Sequence, residues 1–149
     1  MKKIVLVVFG LIIGYWGAAQ DVKSERVPEY VKSALHEQYP ESKDMDVEWE
    51  KSGAYYRASF EAGDVDHEVL ISPGGEWVHS EIEMDKKNLP ASVNEGYKSS
   101  EYASYKIDDV KRIESSEEGT MYRMELEGDD QELNVYFDED GEVIKTENI

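Results

Sequence analysis

Apolar residues recur along this chain with two different periods. From Val27 to Tyr39 they fall at Val27, Tyr30, Val31, Ala34, Leu35 and Tyr39, the spacing of a helix with one buried face. Pro28 suits a first helical turn and Pro40 a stop. The period then drops to two. Val47 and Trp49 alternate with charged neighbours, Tyr56, Ala58 and Phe60 alternate with Tyr55, Arg57 and Ser59, and His67, Val69 and Ile71 alternate with Glu68, Leu70 and Ser72. Residues 77–82 form a fourth stretch. Ser52-Gly53 and Ser72-Pro73-Gly74-Gly75 supply hairpin turns between them. One helix covering one face of a four-stranded antiparallel meander is the simplest arrangement.

The same order then returns. Gly53, Tyr56, Gly75-Glu76 and Glu81 recur 66 positions on as Gly119, Tyr122, Gly141-Glu142 and Glu147, while Val27-Pro28 recurs as Leu89-Pro90. Self-similarity of this kind marks two copies of one supersecondary unit that complete each other's core. In the second copy residues 89–105 are helical and residues 110–114, 121–127, 132–138 and 142–147 are strands. Gly96 and Ser99-Ser100 interrupt that helical pattern and predict two short helices. The expected fold is α+β, two helix-plus-four-strand repeats forming one antiparallel sheet with the helices on one face. The repeats occupy residues 27–84 and 89–149 of a single domain spanning 27–149, behind a polar, aperiodic stretch at 20–26 that reads as a flexible leader.

The first nineteen residues combine Lys2 and Lys3, an apolar run from Ile4 to Ile13 and the small residues Gly17, Ala18 and Ala19. That is the pattern of a secretory signal peptide, and the run is short of the roughly 20 residues a spanning helix needs. A periplasmic or secreted protein is expected, with no membrane association after cleavage. With no cysteine, disulfides and thiolate metal sites are excluded, and the domain must hold by burial alone. Removing Lys2 and Lys3 leaves 14 basic against 34 acidic residues, a net charge near −20. Such a surface repels nucleic acid and anionic lipid.

A Val/Leu-Pro helix start, a Tyr-Pro helix end, a Gly-x-x-Tyr hairpin and an Asp/Ser-x-x-Gly-Glu turn run through the two copies. This pattern resembles the exported tandem PepSY-like proteins that share a fold with the beta-lactamase inhibitor protein, over residues 27–147. The resemblance implies two helix-plus-four-strand repeats in a continuous sheet. It also implies binding to, or inhibition of, an envelope or extracellular enzyme such as a peptidase. The inhibitor's own target-binding loops have no match in this chain, so beta-lactamase inhibition does not carry over.

Catalytic chemistry finds little support in the residues. No serine lies in a Gly-x-Ser-x-Gly setting, and no spacing joins a nucleophile, a base and an orienting group. His36 reads as a solvated helix residue and His67 as a histidine at the core edge. His79 shares strand parity with Trp77 and Glu81, and Glu81 recurs as Glu147. Asp138-Glu139-Asp140-Gly141-Glu142 opens like a calcium loop, but the closing acid of such a loop, about six positions past the glycine, would be Glu147 on an extended strand. No metal and no cofactor are expected, weak calcium binding at that turn being left open. What remains is the sheet's outer face, where parity places Tyr55, Arg57 and Leu70 in the first copy and Met121, Arg123 and Tyr136 in the second. Arginine and tyrosine anchor interfaces, whereas each arginine could equally pair with acids on neighbouring strands. The expected function is an exported, non-catalytic binding protein acting on a protein or peptide ligand through that face. The alternative is a small hydrolase or metal-binding scavenger using surface carboxylates and His67 or His79.

Overall fold

The computed structural model describes residues 19–149, so all but the last residue of the expected signal peptide lies outside the described residues. Strand β1 (Gln20–Asp21) leads to helix α1 (Glu29–Gln38), then β2 (Glu48–Ser52), β3 (Tyr55–Glu61), β4 (Asp66–Ile71) and β5 (Trp77–Glu83). Helix α2 (Ala91–Ser99) precedes β6 (Lys106–Ser115), β7 (Gly119–Glu127), β8 (Glu132–Asp138) and β9 (Val143–Asn148). All nine strands form one antiparallel sheet in chain order.

Each helix starts after its proline. Pro28 and Pro90 have extended ψ angles of 141° and 145°, and Pro28 accepts the amides of Val31 and Lys32. Pro40, which has no amide hydrogen to continue the ladder, ends α1. In the second copy one helix forms rather than two. Gly96 sits inside α2, and the break comes at Ser100, which is extended and whose hydroxyl donates to the Tyr97 carbonyl at 2.7 Å and accepts the Tyr102 amide at 3.1 Å. That side-chain competition for the backbone stops the helix, and turns carry the chain to Tyr105.

From β3 onward the copies match residue for residue at an offset of 66. Ala58 pairs with Val69 as Met124 pairs with Val135, and Phe60 with His67 as Leu126 with Leu133. A bulge recurs too: Leu70 pairs with His79 and Ile71 with Trp77, while Tyr136 pairs with Lys145 and Phe137 with Val143. Tyr56 and Tyr122 pack at equivalent places in the two helix-side cores. The first strand departs from this offset. Trp49 opposes Ala58 as Val110 opposes Met124, an offset of 61, because the β6–β7 hairpin is longer.

Two cores result. Val31 and Leu35 of α1 pack with Trp49, Ala58, Phe60, Val69 and Ile71, and Val93 of α2 packs with Val110, Met124, Leu126, Val135 and Phe137. Cross-strand register carries the face of Ala58 through Val69, Ser80 and Glu114 to the parity of Val110 and Met124. Both helices therefore pack on the same face of the sheet. Each fully buried side chain contributes roughly 1.5–3 kcal/mol, which is how the domain holds together without cysteines. Residues 20–26, read from sequence as a flexible leader, are placed: Gln20 and Asp21 pair with Lys51 and Glu50, and the Val22 amide donates to the Trp49 carbonyl at 2.8 Å. Two residues are too few to leave a periodicity.

Candidate partner-binding site

Among the described residues no helix lies on the second face of the sheet. Strand parity aims Arg57, Glu68, Leu70, His79, Glu81, Lys111, Ile113, Met121, Arg123 and Tyr136 at it, opposite in sense to the core positions. The bulge moves His79 out of step with Trp77. Trp77 packs with the α1 core and donates its indole N–H to Ser80 at 2.9 Å, whereas His79 opposes Leu70 on the helix-free side. The expected shared parity of Trp77 and His79 is thus wrong, since one inserted residue, Val78, flips the alternation.

Of the six residues expected to be exposed here, four are half-buried and two are buried. Leu70 is 8% and Met121 4% accessible, and Ile113, Met121's cross-strand neighbour, is also buried. None belongs to the helix-side cores. Beside Ile113 and Met121 runs a layer of paired charges. Arg123 on β7 reaches across β6 to Glu81 on β5 at 3.3 Å, and Ile113 lies in register between Glu81 and Met121. Lys111 completes the layer, 3.7 Å from Glu81 and 3.5 Å from Glu68. Long charged side chains lay their aliphatic stems over apolar surface while keeping their heads hydrated, so the face reads as polar although apolar residues lie beneath.

Arg57 and Arg123, equivalent in the repeat, live differently. Arg57 pairs with its direct cross-strand neighbour Glu50 at 3.5 Å, both side chains about one-third exposed, whereas Arg123 is 15% exposed. Tyr136, beside Arg123 in register, donates its hydroxyl to Glu147 at 2.9 Å, and Lys145 stands over its ring at 5.1 Å. Burial, reinforced by the hydrogen bond to Glu147 and that carboxylate's charge, pushes the Tyr136 hydroxyl up to about 12. Burial alone would raise Glu147, but the hydrogen bonds from Lys145 and Tyr136 outweigh it and hold the carboxyl below its ordinary value. Glu147, Tyr136, Arg123, Glu81, Lys111 and Glu68 thus line up across most of the face. Tyr55 is half-buried at its far end.

The residues weighed for other chemistry are occupied with structure. His67 Nδ1 lies 2.9 Å from the Val65 carbonyl, and its ring stacks on Phe60 at 5.0 Å. His36 is half-buried rather than solvated, its Nδ1 2.8 Å from the Ser42 hydroxyl, which donates onward to the Tyr39 carbonyl. His79 is pushed down chiefly by burial. Glu81 and Glu147, candidates for a carboxylate pair, serve separate ion pairs. Asp138 Oδ1 accepts the amides of Asp140 at 3.0 Å and Glu142 at 2.8 Å, as the Ser72 hydroxyl accepts those of Gly74 and Glu76. The acidic turn is therefore the carboxylate-capped version of the hydroxyl-capped first hairpin turn. Among the described residues no group of three His, Asp or Glu side chains could hold a metal ion, and no helix is long and apolar enough to cross a membrane.

Lys111, Ile113 and Glu68 are members of this face that the sequence did not mark as site residues, and Glu81 was marked only by its recurrence as Glu147 and its parity with His79. Lys111 and Ile113 share one parity along the chain, but only the β6 register shows that they sit between Glu81 and Arg123.

Two helix-backed repeats sharing one antiparallel sheet, with no helix on its other face among the described residues, define an α+β protein. The chain belongs to the family described as "Putative beta-lactamase-inhibitor-like, PepSY-like", whose model matches residues 13–61 and 54–145. Among solved structures it is similar to a BLIP-like protein from Bacteroides fragilis, at 26% identity and a TM-score of 0.74, covering 82% of this chain and 86% of that one. A DUF2874 family protein from Bacteroides uniformis has 23% identity and a TM-score of 0.74, covering 82% and 89%. A structure from Bacteroides eggerthii described under "putative periplasmic proteins" has 24% identity and a TM-score of 0.74, covering 83% and 89%. No curated protein matches the chain.

Proposed function

We propose that this protein is exported and non-catalytic, and that it binds a protein or peptide ligand across the helix-free face of its sheet. The reading is carried by the paired position of Arg57 and Arg123, which recurs in both repeats and aims at that face in each. Guanidinium groups recognise carboxylates bidentately, and tyrosines such as Tyr55 and Tyr136 add apolar contact at low entropic cost. Membership of a beta-lactamase-inhibitor-like family supports a protein target, an envelope or extracellular enzyme such as a peptidase being the class in view. Leu70 and Met121 drop out as direct contacts because they are covered. Export rests on the basic start, short apolar run and small residues of the N-terminus, and on the description of the Bacteroides eggerthii neighbour.

Affinity capture from the exported fraction of the source cell, read by mass spectrometry, tests the proposal. One defined protein should be retained by the parent and lost with Arg57→Ala at unchanged melting temperature. Turnover of a peptide or ester library by the purified protein, or capture indifferent to Arg57→Ala, would overturn it. Intact-mass measurement of the exported protein should show loss of residues 1–19.

A further inference from the structure

Among the described residues no strand lies beyond β9, whereas at the opposite edge the two-residue β1 covers part of β2. The Ile149 amide donates to the Glu132 carbonyl at 3.1 Å. Backbone direction alternates along a strand, so Glu147 and Lys145 aim their amides and carbonyls at β8, and Thr146 and Asn148 aim theirs outward. Two of the large apolar side chains left exposed, Val143 and Ile149, flank this edge, 42% and 62% accessible.

We propose that the β9 edge is a homodimer interface, in which β9 of a second copy pairs antiparallel about a two-fold axis through Thr146. This register is selected by two independent features. It lets Thr146, whose N–H and C=O both point outward, exchange two hydrogen bonds with its own copy. It sets Lys145 opposite Glu147 in both halves of the interface, where opposite charges attract across strands. A strand edge defended against pairing would more commonly carry charge of one sign or a proline; β9 instead carries a self-complementary pair. The contact is isologous and closes after two copies. The formal net charge of −18 opposes it, so the interface is best read in about 0.15 M salt, where charges are screened beyond roughly 8 Å.

Sedimentation equilibrium of the purified protein over a wide concentration range tests this. The weight-average mass should rise toward twice the monomer mass. Thr146→Pro removes an outward amide that the folded monomer does not use, and Lys145→Glu sets like charges opposite each other. Each should weaken dimerisation by about tenfold or more in dissociation constant, and the exchange K145E/E147K should restore it. If Thr146→Pro unfolds, the Lys145→Glu variant and its charge exchange, checked for native circular dichroism, decide alone. A parent that stays monomeric throughout, a dimer indifferent to Thr146→Pro and Lys145→Glu, or growth beyond two copies would overturn the proposal.

Discussion

A β-carbon on Gly96 would lie 1.9 Å from the carbonyl oxygen of Gly141, and one on Gly141 would lie 2.1 Å from the carbonyl oxygen of Ser92. Helix α2 and the β8–β9 turn therefore meet backbone to backbone. Beside that contact the Ser92 hydroxyl donates to the Glu139 carbonyl at 2.6 Å. The first repeat solves the same docking differently: the Tyr30 hydroxyl donates to the Pro73 carbonyl at 3.2 Å, and Gly75 abuts Tyr30.

Gly96→Ala separates propensity from packing. In an open helix alanine would add about 1 kcal/mol of stability over glycine. Here the new methyl meets main chain that cannot swing aside, and overpacking costs roughly 1–3 kcal/mol. Urea unfolding should show a net loss, larger than for Gly74→Ala, where the added carbon would meet only the Ser72 side-chain oxygen at 3.6 Å. A gain in stability would mean that α2 slides freely over the turn.

This contact also explains which parts of the fold could be read from the chain. Hairpins, turn residues and both cores were legible because strand parity and the 66-residue recurrence repeat across many positions. Gly96 was legible only as a helix breaker, since its true reason is a partner 45 positions away. The bulge at Val78 left no compositional trace, so His79 was put in step with Trp77 when it takes the opposite side of the sheet. The burial of Met121 and its neighbour Ile113 was hidden for a similar reason: parity assigns a face, but Arg123 and Glu81 reach toward each other over the strand that carries Ile113.

Asp138 should behave as a turn cap. Asp138→Ala leaves the amides of Asp140 and Glu142 without their acceptor and should cost about 0.5–2 kcal/mol, the range for losing a comparable cap. Asp138→Ser should recover much of it, since Ser72 does the same work in the first repeat. Melting curves with calcium and with chelator should superimpose for the parent. A calcium-dependent rise in melting temperature that Asp138→Ser abolishes would reverse this assignment.

His79 should make stability depend on pH in the mildly acidic range. Burial holds its folded-state value below the ordinary 6.5, although Glu81, and to a lesser degree Glu68, favour the charged ring while Arg57 disfavours it. A depressed histidine binds fewer protons folded than unfolded. Its contribution is therefore complete above about 6.5 and is lost as pH falls below that value. Melting temperatures taken between neutral pH and the onset of carboxylate titration should decline in the parent and decline less in His79→Gln. Equal slopes would show that the ring is hydrated in the folded state.

The two equivalent arginines should separate stability from binding. Arg57 and Glu50 form an open pair, and such pairs contribute only about 0–1 kcal/mol, so Arg57→Ala should leave the melting temperature almost unchanged. Arg123 is more deeply placed: its loss strips cover from Ile113 and Met121 and takes from Glu81 one of its two cationic partners. Removing one partner of a hydrogen-bonded, largely buried charge typically costs roughly 1–3 kcal/mol. A double-mutant cycle with Glu81→Gln should give a coupling energy of about 0.5 kcal/mol or more, as expected for residues in direct contact. If instead both arginines are equally dispensable to the fold, the charged layer is loose, and Arg123 becomes as free as Arg57 to engage a partner. If the coupling is found, Arg57 is the arginine whose removal reports on binding alone, and any loss of capture seen with Arg123→Ala has to be corrected for the stability lost with it.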